Sequence, residues 1–294
     1  MATSDDGIWT LGRVLTWTTK HFAEKGIDSP RLDAELLLAA ALQKNRLYLY
    51  THYDQPLNET ERAGYRALVQ RRSKREPVAY ILSEREFYGL PLTVTRDVLV
   101  PRPETEHLID AVREWLDAHP REQPRLCDVG TGSGAIAVVL AVQAPTATVV
   151  AIDVSEAALS VARTNAARHD VTPRIRFVEG DLLAPVATDP PFDVIAANLP
   201  YVPSPERPHL MPEVRDHEPA LALFGGTDGL DVIRRLIPAL PDRLAPGGLV
   251  ALEIGAGQWP AVRALLESGD VFTHVRSVAD LAGHPRVALA ERSA

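Results

Sequence analysis

The sequence predicts an α/β chain in two parts, a small helical bundle and a doubly wound sheet, joined by a β-hairpin. Three observations carry that reading. The first eighty or so residues space their apolar positions at three- and four-residue steps and show almost no strand signal. Between Pro77 and Val100 the pattern turns extended, with Gly89 and Pro91 separating two β-prone runs. From Pro103 onward short apolar runs alternate with amphipathic ones, as parallel strands covered on both faces by helices require.

Each element has a local cause. In GIWTLGRVLTWTTKHFAEKGI, Leu11, Val14, Leu15, Thr18 and Phe22 fall on one helix face and Gly26 supplies the stop. Ser29 is placed to cap the next helix, and Pro30 takes its first position, where a missing N–H costs nothing. Asn58 with Glu61 three residues later makes a capping-box pattern. That helix ends in Arg71, Arg72, Lys74 and Arg75, which suit a helix C-terminus and read as a solvated end rather than a docking face. The bundle is assigned residues 1–80, the hairpin linker 81–100 and the sheet 101–294. Strands are expected at RLCDVG, TVVAIDV, RIRFVEGD, FDVIAAN and GGLVALEIG, with weaker strand signals at HVRSV and PRVALAER. Helices are expected at AIAVVLAVQA, EAALSVARTNAARH and LDVIRRLIPALPDRL.

Composition narrows the function. The 294 residues carry a formal charge of −8 and are 46% hydrophobic, which is globular and weighs against charge-driven binding to nucleic acid. No apolar run reaches the roughly 18 residues of a membrane span, and the opening MATSDDGIWT is acidic where a signal peptide is basic. A cytoplasmic protein without membrane contact is expected. Cys127 is the one cysteine, so no disulfide framework or Cys-rich zinc site can form, and its commonest role is a small buried residue. The nine histidines show no ligand spacing, and no metal site is expected.

The chemistry sits at strand ends. RLCDVGTGSGAIAVVL places Gly130, Thr131, Gly132, Ser133 and Gly134 between the first strand and its helix, where open α/β sheets bind ligands. The spacing is G-x-G-x-G with Ala135 in the sixth place, a departure from the dinucleotide fingerprint that favours a small nucleoside cofactor without phosphates. Asp153, ending the second strand, can accept from both ribose hydroxyls, and Asp181, ending the third, from an adenine amino group. Together they point to S-adenosylmethionine. Asp128 either orients the glycine loop or caps the strand end. The fourth strand ends beside that loop at AANLPY. A planar amide or aromatic amine has a delocalised lone pair and attacks a methyl sulfonium poorly. Two acceptors on its N–H groups can aim that lone pair at the methyl group. The side-chain oxygen of Asn198 and one backbone carbonyl provide them, Pro200 biases the residue before it towards extended backbone, and Tyr201 can pack over the flat target.

On these residues the sequence resembles the class I methyltransferases with an [NDS]-P-P-[YF] motif. Within them it resembles the protein-(glutamine-N5) methyltransferases of peptide chain release factors, the HemK or PrmC family. The likeness covers nearly the whole chain. SPRLDAELLLAAAL is similar to the family's second helix, EPVAYILSEREFYGLPLTVTRDVLVPRPETEHLID to its linker and entry helix, DVGTGSGAIAVVLA to its cofactor loop and GGLVALEIGAGQ to its fifth strand. The linker is the most specific match, because the ribosomal-protein glutamine methyltransferases typically continue VPR with Ser-Pro where this chain has VPRPETE. One residue departs: the usual motif is Asn-Pro-Pro-Tyr, and the Asn-Leu-Pro-Tyr found here is familiar from ribosomal RNA adenine dimethyltransferases.

The resemblance implies a Rossmann-like class I methyltransferase sheet carrying a small N-terminal helical bundle. It implies methylation of the glutamine amide in the Gly-Gly-Gln motif of class I release factors, with S-adenosylmethionine converted to S-adenosyl-L-homocysteine. Gly130, Thr131, Gly132, Ser133, Gly134, Asp153, Asp181, Leu182 and Asn198 would bind the cofactor. Asn198, Leu199, Pro200 and Tyr201 would hold the glutamine and carry catalysis, with Phe87 and Arg102 to Glu106 close by. The bundle would grip the release factor, and a monomer is expected. The rival readings are a glutamine methyltransferase of a ribosomal protein, a nucleic-acid adenine-N6 methyltransferase and a non-catalytic cofactor-binding protein.

Overall fold

Helices fill the first part of the computed structural model, which describes residues 8–293; the first seven residues, from which the absence of a signal peptide was argued, lie outside them. The helices are α1 (Leu11–Glu24), α2 (Pro30–Leu42), α3 (Arg46–Thr51), α4 (Glu59–Ser73) and α5 (Val78–Leu82). Helix α1 buries the expected face of Leu11, Val14, Leu15, Thr18 and Phe22, against Leu37, Leu38, Leu49 and Val69. The capping box of Asn58 and Glu61 forms at α4. Ser29 holds the N-cap position of α2 but makes no side-chain bond, since its backbone (φ −118°, ψ 59°) is not the extended cap geometry; Pro30 alone marks the start.

The basic end of α4 is only partly solvated: Arg71 and Lys74 are exposed, whereas Arg72 and Arg75 turn inward. Arg72 is buried, its Nε donating to Asp33 at 2.7 Å and its Nη2 to Glu213 at 2.7 Å. Arg75 donates to the same Glu213 at 2.6 Å, and Arg71 makes a fork to Glu76 at 2.9 and 2.8 Å. Glu213 belongs to a short helix, Pro212–His217, which is part of this unit despite its distance along the chain. The helical unit is therefore the N-terminal segment up to Ser83 plus Pro212–His217, and a single cut near residue 80 does not describe it.

The second unit runs over Glu84–Met211 and from Glu218 to the C-terminus. It opens with the hairpin, β1 (Glu84–Phe87) paired antiparallel with β2 (Leu90–Thr93). Tyr88 and Gly89 at its tip have φ of 51° and 72°, the two positive angles that a two-residue hairpin turn matched to strand twist requires. Then follow α6 (Glu106–Ala118), β3 (Arg125–Val129), α7 (Ala135–Gln143), β4 (Thr148–Asp153), α8 (Glu156–Arg168), β5 (Ile175–Glu179), β6 (Phe192–Ala197) and β7 (Leu244–Glu253). A helix, Trp259–Glu267, leads to β8 (Phe272–Ala279) and β9 (Pro285–Arg292).

The sheet order is β5-β4-β3-β6-β7-β9-β8. Strands β3 to β7 pair in parallel, whereas β9 runs antiparallel to both β7 and β8, so the two weakest strand signals are the exceptions to a parallel sheet. Successive residues of one strand enter opposite apolar layers, Leu126 with α6 and α7, Cys127 with Ile233 and Leu236. The helix expected over LDVIRRLIPALPDRL breaks into Asp231–Leu236, a 3-10 turn Ile237–Ala239 and Leu240–Arg243, because Pro238 and Pro241 bring no N–H. Among the described residues no helix is long and apolar enough to cross a membrane.

Candidate active site

Strand β3 lies between β4 and β6, with Val129 opposite Ile152 on one side and Ala197 on the other. The glycine loop and the Asn198 turn therefore leave the sheet side by side at its carboxyl edge, where the strand order reverses. A cavity of about 280 Å³ opens there, and its walls include Gly130–Ser133, Asp153, Asp181, Leu182 and Asn198–Pro200. Gly134 is not in the wall; it is the N-cap of α7.

Carboxylates hold the loop. Gly130 and Thr131 donate their amides to the Ile152 carbonyl at 2.8 and 2.9 Å, and Gly132 donates to Asp153 Oδ2 at 2.8 Å. The other Asp153 oxygen accepts from the Ser155 amide at 2.9 Å, and burial raises this carboxyl above its ordinary range. Asp128 serves both roles left open by the sequence. One oxygen accepts from the Thr131 hydroxyl at 2.6 Å, which orients the loop, and from the Ala137 amide at 3.0 Å, which ties down the first turn of α7. Asp181 lies beyond the end of β5 rather than in it, exposed and paired with Arg235. Leu182 after it has φ 50°, a left-handed conformation that leucine rarely adopts.

The Asn198 turn rests on a chain of hydrogen bonds with a buried centre at Thr105 and Glu253. Asn198 Nδ2 donates to Thr105 Oγ1 at 3.1 Å, and Thr105 donates to Glu253 Oε2 at 2.6 Å. The Tyr201 hydroxyl donates to Glu253 Oε1 at 3.2 Å. Tyr201 was expected over the substrate, but it is not among the cavity-lining residues, because the carboxylate at the end of β7 engages its hydroxyl. Burial and the adjacent Glu253 push the phenol's pKa up. Its backbone carbonyl accepts from Gln258 Nε2 at 2.9 Å. A Cβ at Gly229 (φ +80°) would stand 2.1 Å from that same carbonyl, so only glycine lets the two backbones meet.

Leu199 is buried in the core and also lines the cavity. A Cβ on Gly130 (φ +73°) would come within 3.0 Å of its Cδ2, so the leucine packs into the space that glycine leaves. Its side chain is thus a packing element, and its backbone carbonyl remains available for the role any residue can fill. Phe87 is a core residue beside Leu92 and Leu108 rather than a wall of the cavity. Of Arg102 to Glu106, Thr105 alone lines the cavity; Arg102 donates to Glu218 at 2.6 Å and Glu106 accepts from the Tyr88 amide at 2.9 Å. Glu253 and Gln258 escaped the sequence reading as site residues. The available signal was a lone acid inside the apolar run LVALEIG, since a buried charge needs partners.

Burial raises Glu253 from 4.5 to about 7 against the hydrogen bonds from Thr105 and Tyr201, which lower it, and raises Asp128 from 3.8 to about 7. Between their unfolded and folded values the native chain holds more protons than the unfolded one. Their contribution to stability is therefore full below about pH 4 and is lost as pH rises through about 7. Glu253→Gln should flatten that decline by on the order of 3 kcal/mol between about pH 4 and 8, read from urea midpoints at each pH. Parallel curves for the two proteins would remove Glu253 from the effect.

A family model described as the PrmC N-terminal domain matches residues 13–82, and one described as a methyltransferase domain matches residues 126–217. The release factor glutamine methyltransferase of Geobacter sulfurreducens is 47% identical over 85% of this chain and 86% of its own. That of Rhodopirellula baltica is 41% identical over 97% of each. The chain belongs to the release factor glutamine methyltransferases. A solved methyltransferase structure from Pyrococcus furiosus shares the fold, with a TM-score of 0.52 at 19% identity over 71% of this chain and 91% of that one. In this release factor glutamine methyltransferase the residues present fit S-adenosylmethionine. Backbone of the glycine loop forms one wall, a carboxylate stands at Asp153, and Ile136, Val154 and Leu182 give apolar surface. Arg235 is the one basic residue in the lining and is paired with Asp181, as suits a cofactor without phosphates.

Proposed function

We propose that this chain transfers the methyl group of S-adenosylmethionine to the side-chain amide nitrogen of the Gly-Gly-Gln glutamine of class I peptide chain release factors, leaving S-adenosyl-L-homocysteine. The observation that carries it is the Asn198 turn. Thr105 takes the amide N–H of Asn198, which leaves Oδ1 and the Leu199 carbonyl as the pair of acceptors for a target NH₂. Held by both, the substrate amide directs its lone pair out of conjugation, a case of orientation and preorganised charge. The bound cofactor supplies an electrophilic methyl group. Gly130–Ser133 and Asp153 would hold it, with Asp181 and Leu182 at the adenine end.

The helical unit would recognise the protein substrate. It carries an open groove walled by Trp9, Trp17 and Tyr65, with Lys25, Arg62 and Arg66 among its cations and no carboxylate in the lining. Trp17 is 52% exposed there. Such a surface suits an acidic stretch of polypeptide, aromatic and arginine side chains being the usual anchors of protein interfaces. We read the enzyme as a cytoplasmic monomer without direct nucleic-acid or membrane contact, a reading that the charge of −8 supports.

The test uses labelled S-adenosylmethionine and purified release factor, with the added methyl located by peptide mass. Label on the Gly-Gly-Gln glutamine is expected; label on a ribosomal protein or on RNA would replace the substrate. In the same assay the double variant Arg66→Glu/Lys74→Glu should raise KM for intact release factor about tenfold. An unchanged KM would take the groove out of recognition.

A further inference from the structure

Thr105 stands between an amide and a carboxylate, and that position decides which way the amide points. A threonine hydroxyl has one proton to give and lone pairs to receive with. With Glu253 ionised, the proton goes to its Oε2 at 2.6 Å and a lone pair receives Asn198 Nδ2 at 3.1 Å. Were the Asn198 amide turned over, its oxygen would face a hydroxyl whose proton is already committed, two acceptors opposed in a buried site. Thr105 is 4% and Glu253 1% exposed, so little of either group is open to water that could repair the mismatch. The second oxygen of Glu253 accepts from Tyr201, which fixes the carboxylate in turn. Glu104 and Arg286 are the other charged groups whose fields reach it.

We propose that Glu253 and Thr105 are positioning residues that lock the Asn198 amide with its oxygen towards the target, and thereby set the class of substrate. An oxygen facing the cavity accepts from an NH₂ group and so selects glutamine; a turned amide would offer N–H donors, which suit the carboxylate of glutamate. The inference rests on the reading of Asn198 as an acceptor for the substrate amide. It assigns the orientation of that acceptor to two residues far from it in sequence.

A double-mutant cycle in kcat tests the coupling. Thr105→Val keeps the shape and removes the hydroxyl, and it should lower kcat about thirtyfold, with S-adenosylmethionine affinity by calorimetry within about twofold of wild type. Thr105→Ser should restore kcat to within about threefold. In an Asn198→Ala background the same Thr105→Val change should cost less than about twofold, because no amide is left to orient. Equal losses in both backgrounds, or loss of cofactor affinity in Thr105→Val, would make Thr105 a structural residue and overturn the proposal. If Asn198→Ala itself leaves kcat intact, the acceptor reading falls and this inference with it. If Asn198→Ala is deleterious and the two losses multiply, Asn198 keeps its role and the lock alone is refuted.

Discussion

Replacing Asn198 with alanine should lower turnover at least 100-fold while leaving the affinity for S-adenosylmethionine near that of the wild type. On the proposed reading the side chain is one of two acceptors for the target amide, and its own N–H is bound to Thr105. Its loss removes an interaction needed to hold the reacting nitrogen, so the damage belongs in kcat. The fold should tolerate the change, because the turn is held elsewhere, by Gln258 on the Tyr201 carbonyl and by Leu199 in the core. Single-turnover rates with release factor, beside calorimetry with the cofactor alone, separate the effects. Undiminished turnover would sink the assignment.

Exchanging Asp153 for alanine should do the reverse, weakening S-adenosylmethionine about 100-fold in calorimetry. One carboxylate is asked to do two things. Its oxygens anchor the amides of Gly132 and Ser155 at 2.8 and 2.9 Å, and on the proposed reading its remaining lone pairs, at the cavity wall, accept from the ribose. Hydrogen bonds to a charged group contribute about 1.5–3 kcal/mol each, and a net loss of about 3 kcal/mol corresponds to that factor. Asp153→Asn keeps one acceptor and should fall between, near tenfold. An unchanged dissociation constant for the alanine variant would remove Asp153 from the cofactor.

How far the site was legible follows from where its parts lie. The glycine loop, Asp153 and Asn198 each come directly after an apolar run, and strand ends of a doubly wound sheet meet at one edge. Thr105 carries no such mark, and Glu253, although it ends an apolar run, gives no sign of its partner. Thr105 joins Asn198 across 93 positions of sequence and Glu253 joins Thr105 across 148, and hydrogen bonds of that span leave no periodicity to read. The sequence places Tyr201 in the turn, yet only the place of Glu253 decides which way its hydroxyl goes. The central parallel strands are legible as continuous apolar runs, whereas β8, with a single buried residue along its length, resembles a loop until β9 pairs with it. Arg72 shows the same limit in the helical unit: a cation at a helix end is ordinary chemistry, and its buried partner Glu213 comes from another region of the chain.

The helix Pro212–His217 also bears on modularity. Because it belongs to the helical unit, the polypeptide passes between the two units three times rather than once. A truncation that removes the first 83 residues would strip Glu213 of Arg72 and Arg75 and leave a carboxylate folded for partners that no longer exist. Lost methylation in such a fragment would report a damaged protein as readily as a missing recognition surface. A chimera that borrows the bundle of a relative must import that relative's counterpart of Pro212–His217 as well. The helical unit and its six-residue outpost form one structural piece, so substitutions at Arg72 and Glu213 should be compatible in pairs and harmful singly.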